Sequence, residues 1–210
     1  MTVAEGPRTV GLVARVQNIL LRPAAEWDVI DAEPATVNGL YTGYVMILAA
    51  IPPIASVIGS LAFGHVFAVV GTLIFAVVSY ALALIGVFVV AFIIDALAPS
   101  FDAQKNQIQA LKLVAYSYTA AWVAGVAQII PLVGGLIALI GALYSLYLMY
   151  LGLPRLMKSP AEKTIGYFVV SLLVAIGFYV VIGLVLGMIA GIAMVGAAAT
   201  GAAALGTMPH

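Results

Sequence analysis

The sequence contains no cysteine and only two histidines, His65 and His210. Without cysteine there is no disulfide, no cysteine-ligated zinc or iron–sulfur centre, and no thiol nucleophile. One internal histidine cannot build a conventional zinc site, and His65 is expected to be an interfacial imidazole, with pH sensing as the alternative. The sequence also lacks a glycine-rich phosphate loop followed by lysine. These absences predict a protein that is not an enzyme, with no catalytic residue, cofactor or metal site.

Charge is also scarce, at 8% of residues against 65% apolar, and the formal net charge is zero. Water-soluble domains carry about 25% charged residues. The composition therefore predicts an all-α polytopic membrane protein. The eight basic residues are too few and too scattered to follow a phosphate backbone, so we predict no nucleic-acid partner.

The charged residues fall into three clusters, Glu5 to Glu33, Asp95 to Lys112 and Arg155 to Lys163. Each of the two intervening stretches has room for two crossings, since roughly 20 helical residues span a hydrocarbon core. One more crossing follows Lys163. Five crossings return every cluster to one side, which the positive-inside rule makes the cytoplasm. We therefore predict a multi-pass cell-membrane protein with a cytoplasmic N-terminus and an external C-terminus.

Three parts follow from this topology. Residues 1–40 form a cytoplasmic and interfacial segment of short amphipathic helices, residues 41–196 form a five-helix transmembrane domain, and residues 197–210 form an Ala/Gly-rich tail.

The first helix is predicted over Thr9 to Leu21, with one apolar face. Arg8, Arg15 and Arg22 recur every seven residues along the edge of that face. Two arrangements are open. The helix lies on the membrane, where these arginines and Trp27 of the next helix bind lipid or a partner, or it packs under its own bundle.

The next helix is acidic, and its carboxylates could bind a divalent cation because hard metals take oxygen ligands. Their spacing matches no EF-hand loop, so a solvated acidic face is favoured. The residues concerned are Glu26, Asp28, Asp31 and Glu33.

Crossing one contains Pro52 and Pro53 near its middle, which remove two amide donors and predict a kink. The carbonyls freed in the preceding turn must meet protein or water, so the kink is the best site for an internal polar pocket. A plain packing feature is the favoured alternative. The residues that would line the pocket are Ser79, Tyr80 and Gln128.

Asp95 is the one carboxylate continuous with an apolar stretch. Ionisable groups within a membrane are functional suspects by default. The length of crossing two places Asp95 at the cytoplasmic headgroups, where we expect a helix cap or a salt bridge with Lys105 or Arg155.

Small residues recur at four-residue spacing in several crossings, which lets helices approach closely. In the fifth crossing they are Gly183, Gly187 and Gly191. Packing inside one subunit is the favoured use, and packing in a homo-oligomer is the alternative.

The ordered motifs of this chain resemble those of the Yip domain family, membrane proteins named for their interaction with Ypt/Rab GTPases. The resemblance spans residues 10 to about 190. The residues that carry it are Arg15 to Pro23, Glu26-Trp27, Ile30, Tyr44, Ala50 to Pro53, Leu97 to Pro99, Phe101, Lys112, Tyr116 to Thr119, Ile130-Pro131, Gly134, Tyr144 to Tyr147 and Gly152-Leu153.

The resemblance implies a five-helix membrane domain with a cytoplasmic N-terminus, associated in eukaryotes with vesicle trafficking and partner binding. The segment before crossing one is short where those members have a long cytosolic arm, so the chain resembles a bacterial member. The trafficking role does not transfer to a cell without Rab GTPases.

We predict a non-enzymatic integral membrane protein that organises the membrane or its protein partners through the cytoplasmic face. The partners this implies are membrane lipids, other membrane proteins or a second copy of the chain. The alternative is a transporter or channel for a small solute or ion, with its pocket at the Pro52-Pro53 kink.

Overall fold

The fold comes from a computed structural model that describes residues 11–63, 69–130 and 133–206. Every regular element in these ranges is a helix. Two short helices come first, α1 over Leu12–Leu21 and α2 over Pro23–Ala32. Five long helices follow: α3 Val37–Ala62, α4 Val69–Leu97, α5 Gln107–Ile129, α6 Val133–Leu156 and α7 Ala161–Gly206.

The predicted all-α fold with five crossings is confirmed, because five helices in the described ranges are long and apolar enough to span a membrane. The side on which the termini lie stays a prediction. Two residues named from the sequence, Arg8 and His65, lie outside the described residues, as does the terminal His210.

The chain divides into two compact units, one ending at Ser171 and the other beginning at Leu172. The first unit holds α1 to α6 and the beginning of α7. The second holds the rest of α7, which continues as helix through the predicted tail to Gly206.

The glycine series of the fifth crossing lies in this second unit. A Cβ added at Gly183 or Gly187 would meet no atom within 4 Å. Gly191 belongs to the part of α7 whose side chains are not described. Whether this series packs against another chain stays a prediction.

Helix α3 is interrupted at Ala50, immediately before the Pro52-Pro53 pair. Proline lacks an amide donor, and the first turn of a helix is where that donor is not needed. Two tyrosine hydroxyls then join α3 to α4. Tyr41 donates to the carbonyl of Leu84 at 2.8 Å, and Tyr80 donates to that of Met46 at 3.0 Å.

Helix α5 is interrupted at Tyr118, between Ser117 and Thr119. The Thr119 hydroxyl donates to the carbonyl of Tyr116 at 2.7 Å, which offers the backbone a local alternative to the helical pattern. Beyond the break, the amide of Ala121 donates to Ser145 Oγ of α6 at 3.0 Å. A side chain of a neighbouring helix thus satisfies a backbone group that lipid cannot satisfy.

Glycines bring the backbones of α3, α5 and α6 into direct contact. A Cβ at Gly59 would lie 2.7 Å from the carbonyl oxygen of Ile129. One at Gly125 would overlap the ring of Pro52, and one at Gly134 would overlap the carbonyl of Ala127. Packing in a bilayer relies on such close approach because lipid removes the hydrophobic drive between helices.

Replacing Gly59 with alanine should therefore lower the free energy of unfolding by about 1–3 kcal/mol, because the added methyl meets fixed backbone. The matched control is Gly135→Ala, where a Cβ meets nothing within 4 Å. Thermal unfolding of the purified protein in detergent checks both variants. Equal midpoints for Gly59→Ala and Gly135→Ala would contradict the close contact.

Candidate functional site at the charged end of the bundle

Helices α1 and α2 form a hairpin that turns at Arg22 and packs along α6. Pro23 occupies the first position of α2, where its fixed φ suits a helix start. The hydroxyl of Tyr144 in α6 donates to the carbonyl of Leu20 at 2.7 Å. We call residues 12–32 the N-terminal hairpin.

Successive residues of α2 contact successive residues of α6, so the two helices run in the same direction. Trp27 lies against Gly152, and Arg155 donates to Asp28 at 3.0 Å. The turn of the hairpin therefore lies deeper in the bundle than its ends. Tyr144 precedes the last residue of α6 by a distance of about 18 Å at 1.5 Å per residue.

Arg15 is the centre of this arrangement and is only 4% exposed. Its guanidinium forms ion pairs with Glu26 of α2 and with Glu33 just beyond it. It also lies over the ring of Tyr116 in α5, with 5.6 Å between its central carbon and the ring centroid. Burial works to lower the pKa of Arg15, but the hydrogen bond and charge of Glu33, with the charge of Glu26, outweigh it and raise that pKa above its usual value.

Lys112 of α5 contacts the same cluster from the side of the bundle. Its ammonium group donates to the backbone carbonyl of Ile30 at 2.9 Å and to that of Glu33. These carbonyls lie at the end of α2, where the helix dipole favours a cation. Beside it, Gln109 Nε2 donates to the carboxylate of Asp31 at 3.0 Å. We call Arg15, Glu26, Glu33 and Lys112 the buried ionic cluster.

Tyr44, Tyr116 and Thr119 extend the buried ionic cluster into the bundle. Tyr44 of α3 meets the ring of Tyr116 edge-on, with 4.7 Å between centroids. The hydroxyl of Tyr44 lies 2.6 Å from Thr119 Oγ1. The buried ionic cluster is thus connected to α3 and α5 by hydrogen bonds and ring contacts.

Three ion pairs with exposed members surround the cluster. They are Arg155 with Asp28, Lys158 with Asp31, and Lys163 with Asp102. The four acidic side chains of α2 and its C-cap therefore all pair with basic groups of the protein. The expectation of a solvated acidic face is wrong for Glu26, which is buried, whereas Asp28 is exposed. Among the described residues no group of three or more His, Cys, Asp or Glu could hold a metal ion.

The arginine stripe predicted from the sequence is divided by the fold. Arg15 is buried, so the packed alternative describes it, whereas Arg22 is exposed at the turn of the hairpin. Trp27 is fully buried against Gly152, and its indole Nε1 has no hydrogen-bond partner.

The residues predicted to line a pocket at the kink do not converge on one point. The Ser79 hydroxyl donates to the carbonyl of Ala76 in its own helix at 3.0 Å, and Gln128 is exposed. Tyr80 reaches the carbonyl of Met46, four residues before Ala50. The kink itself faces α5, where the Pro52 ring occupies the space that Gly125 leaves.

Asp95 lies near the end of α4 and is only 6% exposed. Its Oδ1 has no hydrogen-bond partner, and in the described chain neither Lys105 nor Arg155 pairs with it. The expected salt bridge is therefore wrong, because Arg155 is occupied by Asp28. Next to it, the buried hydroxyl of Tyr167 donates to the carbonyl of Ile94.

Several residues of this site carry weak signals in the sequence. Lys112 is a single charge at the start of a predicted crossing, which could have marked it as a buried partner. Tyr144 and Gly152 belong to the motifs that carry the family resemblance, but nothing in the sequence indicates their contacts, which depend on where the hairpin packs.

Replacing Arg15 with glutamine should lower the free energy of unfolding by about 3–5 kcal/mol, because Glu26 would be left buried without its cation. The matched control is Arg155→Gln, which breaks a pair of a half-buried arginine with the exposed Asp28 and should cost about 0–1 kcal/mol. Denaturant unfolding in detergent micelles measures both. Similar losses in the two variants would contradict a special role for the buried pair.

Replacing Asp95 with asparagine should raise the unfolding free energy by about 1–3 kcal/mol, because it removes a buried charge that has one oxygen unpaired and no cation partner among the described residues. A carboxylate near the C-terminal end of a helix is also opposed by the helix dipole. The thermal midpoint in detergent measures the effect, with Asp102→Asn as the exposed control. A lower midpoint for Asp95→Asn would show that the carboxylate is stabilising.

The match to known proteins covers the bundle and most of this site, and it begins three residues after Arg15. The Yip1 domain matches residues 18–184. Inner membrane protein YohC of Escherichia coli strain K12 and that of Escherichia coli O6:H1 strain CFT073 are each 29% identical over 167 residues, which covers 74% of the chain and 85% of the relative. No solved structure matches. The predicted resemblance is confirmed: the chain is a multi-pass inner membrane protein and belongs to the Yip1 domain family.

Proposed function

We propose that the protein is a non-enzymatic scaffold that organises the membrane or its protein partners through the charged end of the bundle. The observation that supports this most is the buried ionic cluster, which ties the N-terminal hairpin to α5. A hairpin held in this way keeps one conformation, so its surface does not have to become ordered when a partner binds. Binding to a preordered surface avoids the entropic cost of fixing it.

The exposed part of this surface joins segments that are distant in the sequence. Lys158 beyond α6 pairs with Asp31 of the hairpin, and Lys163 of α7 pairs with Asp102 in the loop before α5. The amide of Gln104 in that loop donates to the carbonyl of Met157 at 2.7 Å. Such exposed pairs contribute little stability, but they carry both charge signs, which suits recognition of a charged partner.

A transporter with its pocket at the Pro52-Pro53 kink is the weaker proposal. Ser79 and Tyr80 direct their hydroxyls to backbone carbonyls of the bundle. No specific contact favours a pathway through them.

A photo-crosslinking residue at Lys105 tests the scaffold. Lys105 is exposed in the loop at the charged end. Leu136, an exposed residue near the opposite end of α6, is the matched control. In native membranes we expect discrete protein adducts from position 105 and none from position 136, and an adduct of two copies would make the partner the chain itself. The proposal is wrong if position 105 gives no adduct, or if the purified protein moves ions or solutes across reconstituted vesicles.

A further inference from the structure

The turn of the N-terminal hairpin presents an apolar surface that no other described element covers. Leu21, the residue before the turn, is 78% exposed. Arg22, beside Leu21, is exposed as well. If the turn faced water, this exposure would leave a large aliphatic side chain in water. Whether the turn faces water or lipid depends on its depth in the bundle.

That level follows from the contacts of the hairpin with α6. Leu20 accepts a hydrogen bond from Tyr144, and Trp27 lies against Gly152. Tyr144 and Gly152 are about 18 Å and 6 Å from Leu156, the last residue of α6. Arg22 is at the turn, on the deeper side of Trp27, so it lies deeper than the level of Gly152. Since α6 has 24 residues, its length of about 36 Å exceeds a hydrocarbon core of about 30 Å by only one turn. Arg22 is therefore within the apolar layer at the level of its backbone.

Arg15 of α1 and Arg22 at the turn meet their surroundings in opposite ways. Arg15 is enclosed and has two carboxylates of its own chain. Arg22, seven residues on, has no carboxylate or carbonyl partner for its guanidinium among the described residues. A cation at this depth must extend toward the headgroups or draw an anion to it. The anion that a bilayer supplies there is the phosphate of a phospholipid.

The guanidinium geometry suits this ligand, because its paired N–H groups match two phosphate oxygens. Apolar surface for lipid chains lies on both sides of this contact. Tyr147 of α6 is half exposed, and its ring centroid lies 5.6 Å from that of Tyr144, the residue that donates to the carbonyl of Leu20. Leu21 is exposed and adjoins Arg22 in the sequence, and Arg22 has no partner among the described residues.

We propose that the turn of the N-terminal hairpin is immersed in one leaflet and that Arg22 binds the phosphate of an anionic phospholipid whose chains lie on Leu21 and Tyr147. This inference rests on the proposed membrane-organising function and names a lipid as its partner. The two fail separately, since protein adducts at Lys105 do not depend on a lipid at Arg22.

The depth of the turn is measured with a nitroxide label, for which the absence of native cysteine gives a clean background. Leu21→Cys and the loop control Lys105→Cys are labelled and reconstituted in vesicles of phosphatidylcholine and phosphatidylglycerol. We expect the label at position 21 to collide often with oxygen and rarely with a water-soluble nickel chelate, and the label at 105 to behave in the reverse way. Equal nickel access at both positions would overturn the immersed hairpin.

Lipid retention tests the ligand itself. The full-length protein is extracted from the same vesicles, and native mass spectrometry counts the phosphatidylglycerol molecules that remain bound. Arg22→Gln should lose most of the retained phosphatidylglycerol, at least three-fold, while Lys105→Gln should retain as much as the unchanged protein. Equal retention of phosphatidylglycerol by Arg22→Gln and Lys105→Gln would overturn the site. Displacement of the bound phosphatidylglycerol from the unchanged protein by inorganic phosphate would overturn it as well. The exposed position of Arg22 predicts an unchanged thermal midpoint, which shows that both variants are folded.

Discussion

The position of the N-terminal hairpin depends on the need to neutralise Arg15. A guanidinium that is 4% exposed cannot be left without anions, and the carboxylates that meet it come from α2 and the residue just beyond it. This requirement fixes the angle between the two arms of the hairpin. Lys112 then binds the carbonyl end of α2, so that α5 receives the hairpin in one register. Because buried charges that lose a partner are costly, the arrangement favours one geometry over sliding alternatives.

Close backbone contact in the bundle gives this cluster a rigid support. Glycines at the contacts of α3, α5 and α6 leave no room for a methyl group, so these helices have little freedom to move apart or rotate. The helix breaks at Ala50 and Tyr118 lie in the same region, and the polar groups near them find partners on neighbouring helices. Close helix packing and hydrogen bonds to backbone groups therefore occur in the same region. These contacts inside the bundle restrict the movement of the surface at its charged end.

Much of the fold could be predicted from the sequence, because lipid allows few solutions. Long uncharged stretches require helices, and the positions of Lys and Arg limit how many crossings they form. The site was less predictable. The spacing of Arg15 and Arg22 indicates one helix, but it gives no sign that one is enclosed and the other exposed. That difference depends on where Glu26 and Tyr144 lie in space, and a helical period carries no information on contacts between distant segments.

Three charged groups near the apolar layer differ in whether the chain supplies a partner for their charge. Arg15 is neutralised inside the protein, Arg22 is exposed without a partner among the described residues, and Asp95 is buried with one oxygen unpaired. The first contributes to folding. The other two have no ion-pair partner among the described residues to offset the cost of a charge near lipid. They contact different helices, as Arg22 lies beside α6 and Asp95 lies near Tyr167 of α7. Of the two, Arg22 is exposed and Asp95 is buried, so Arg22 is the one that a ligand can reach without a change in packing.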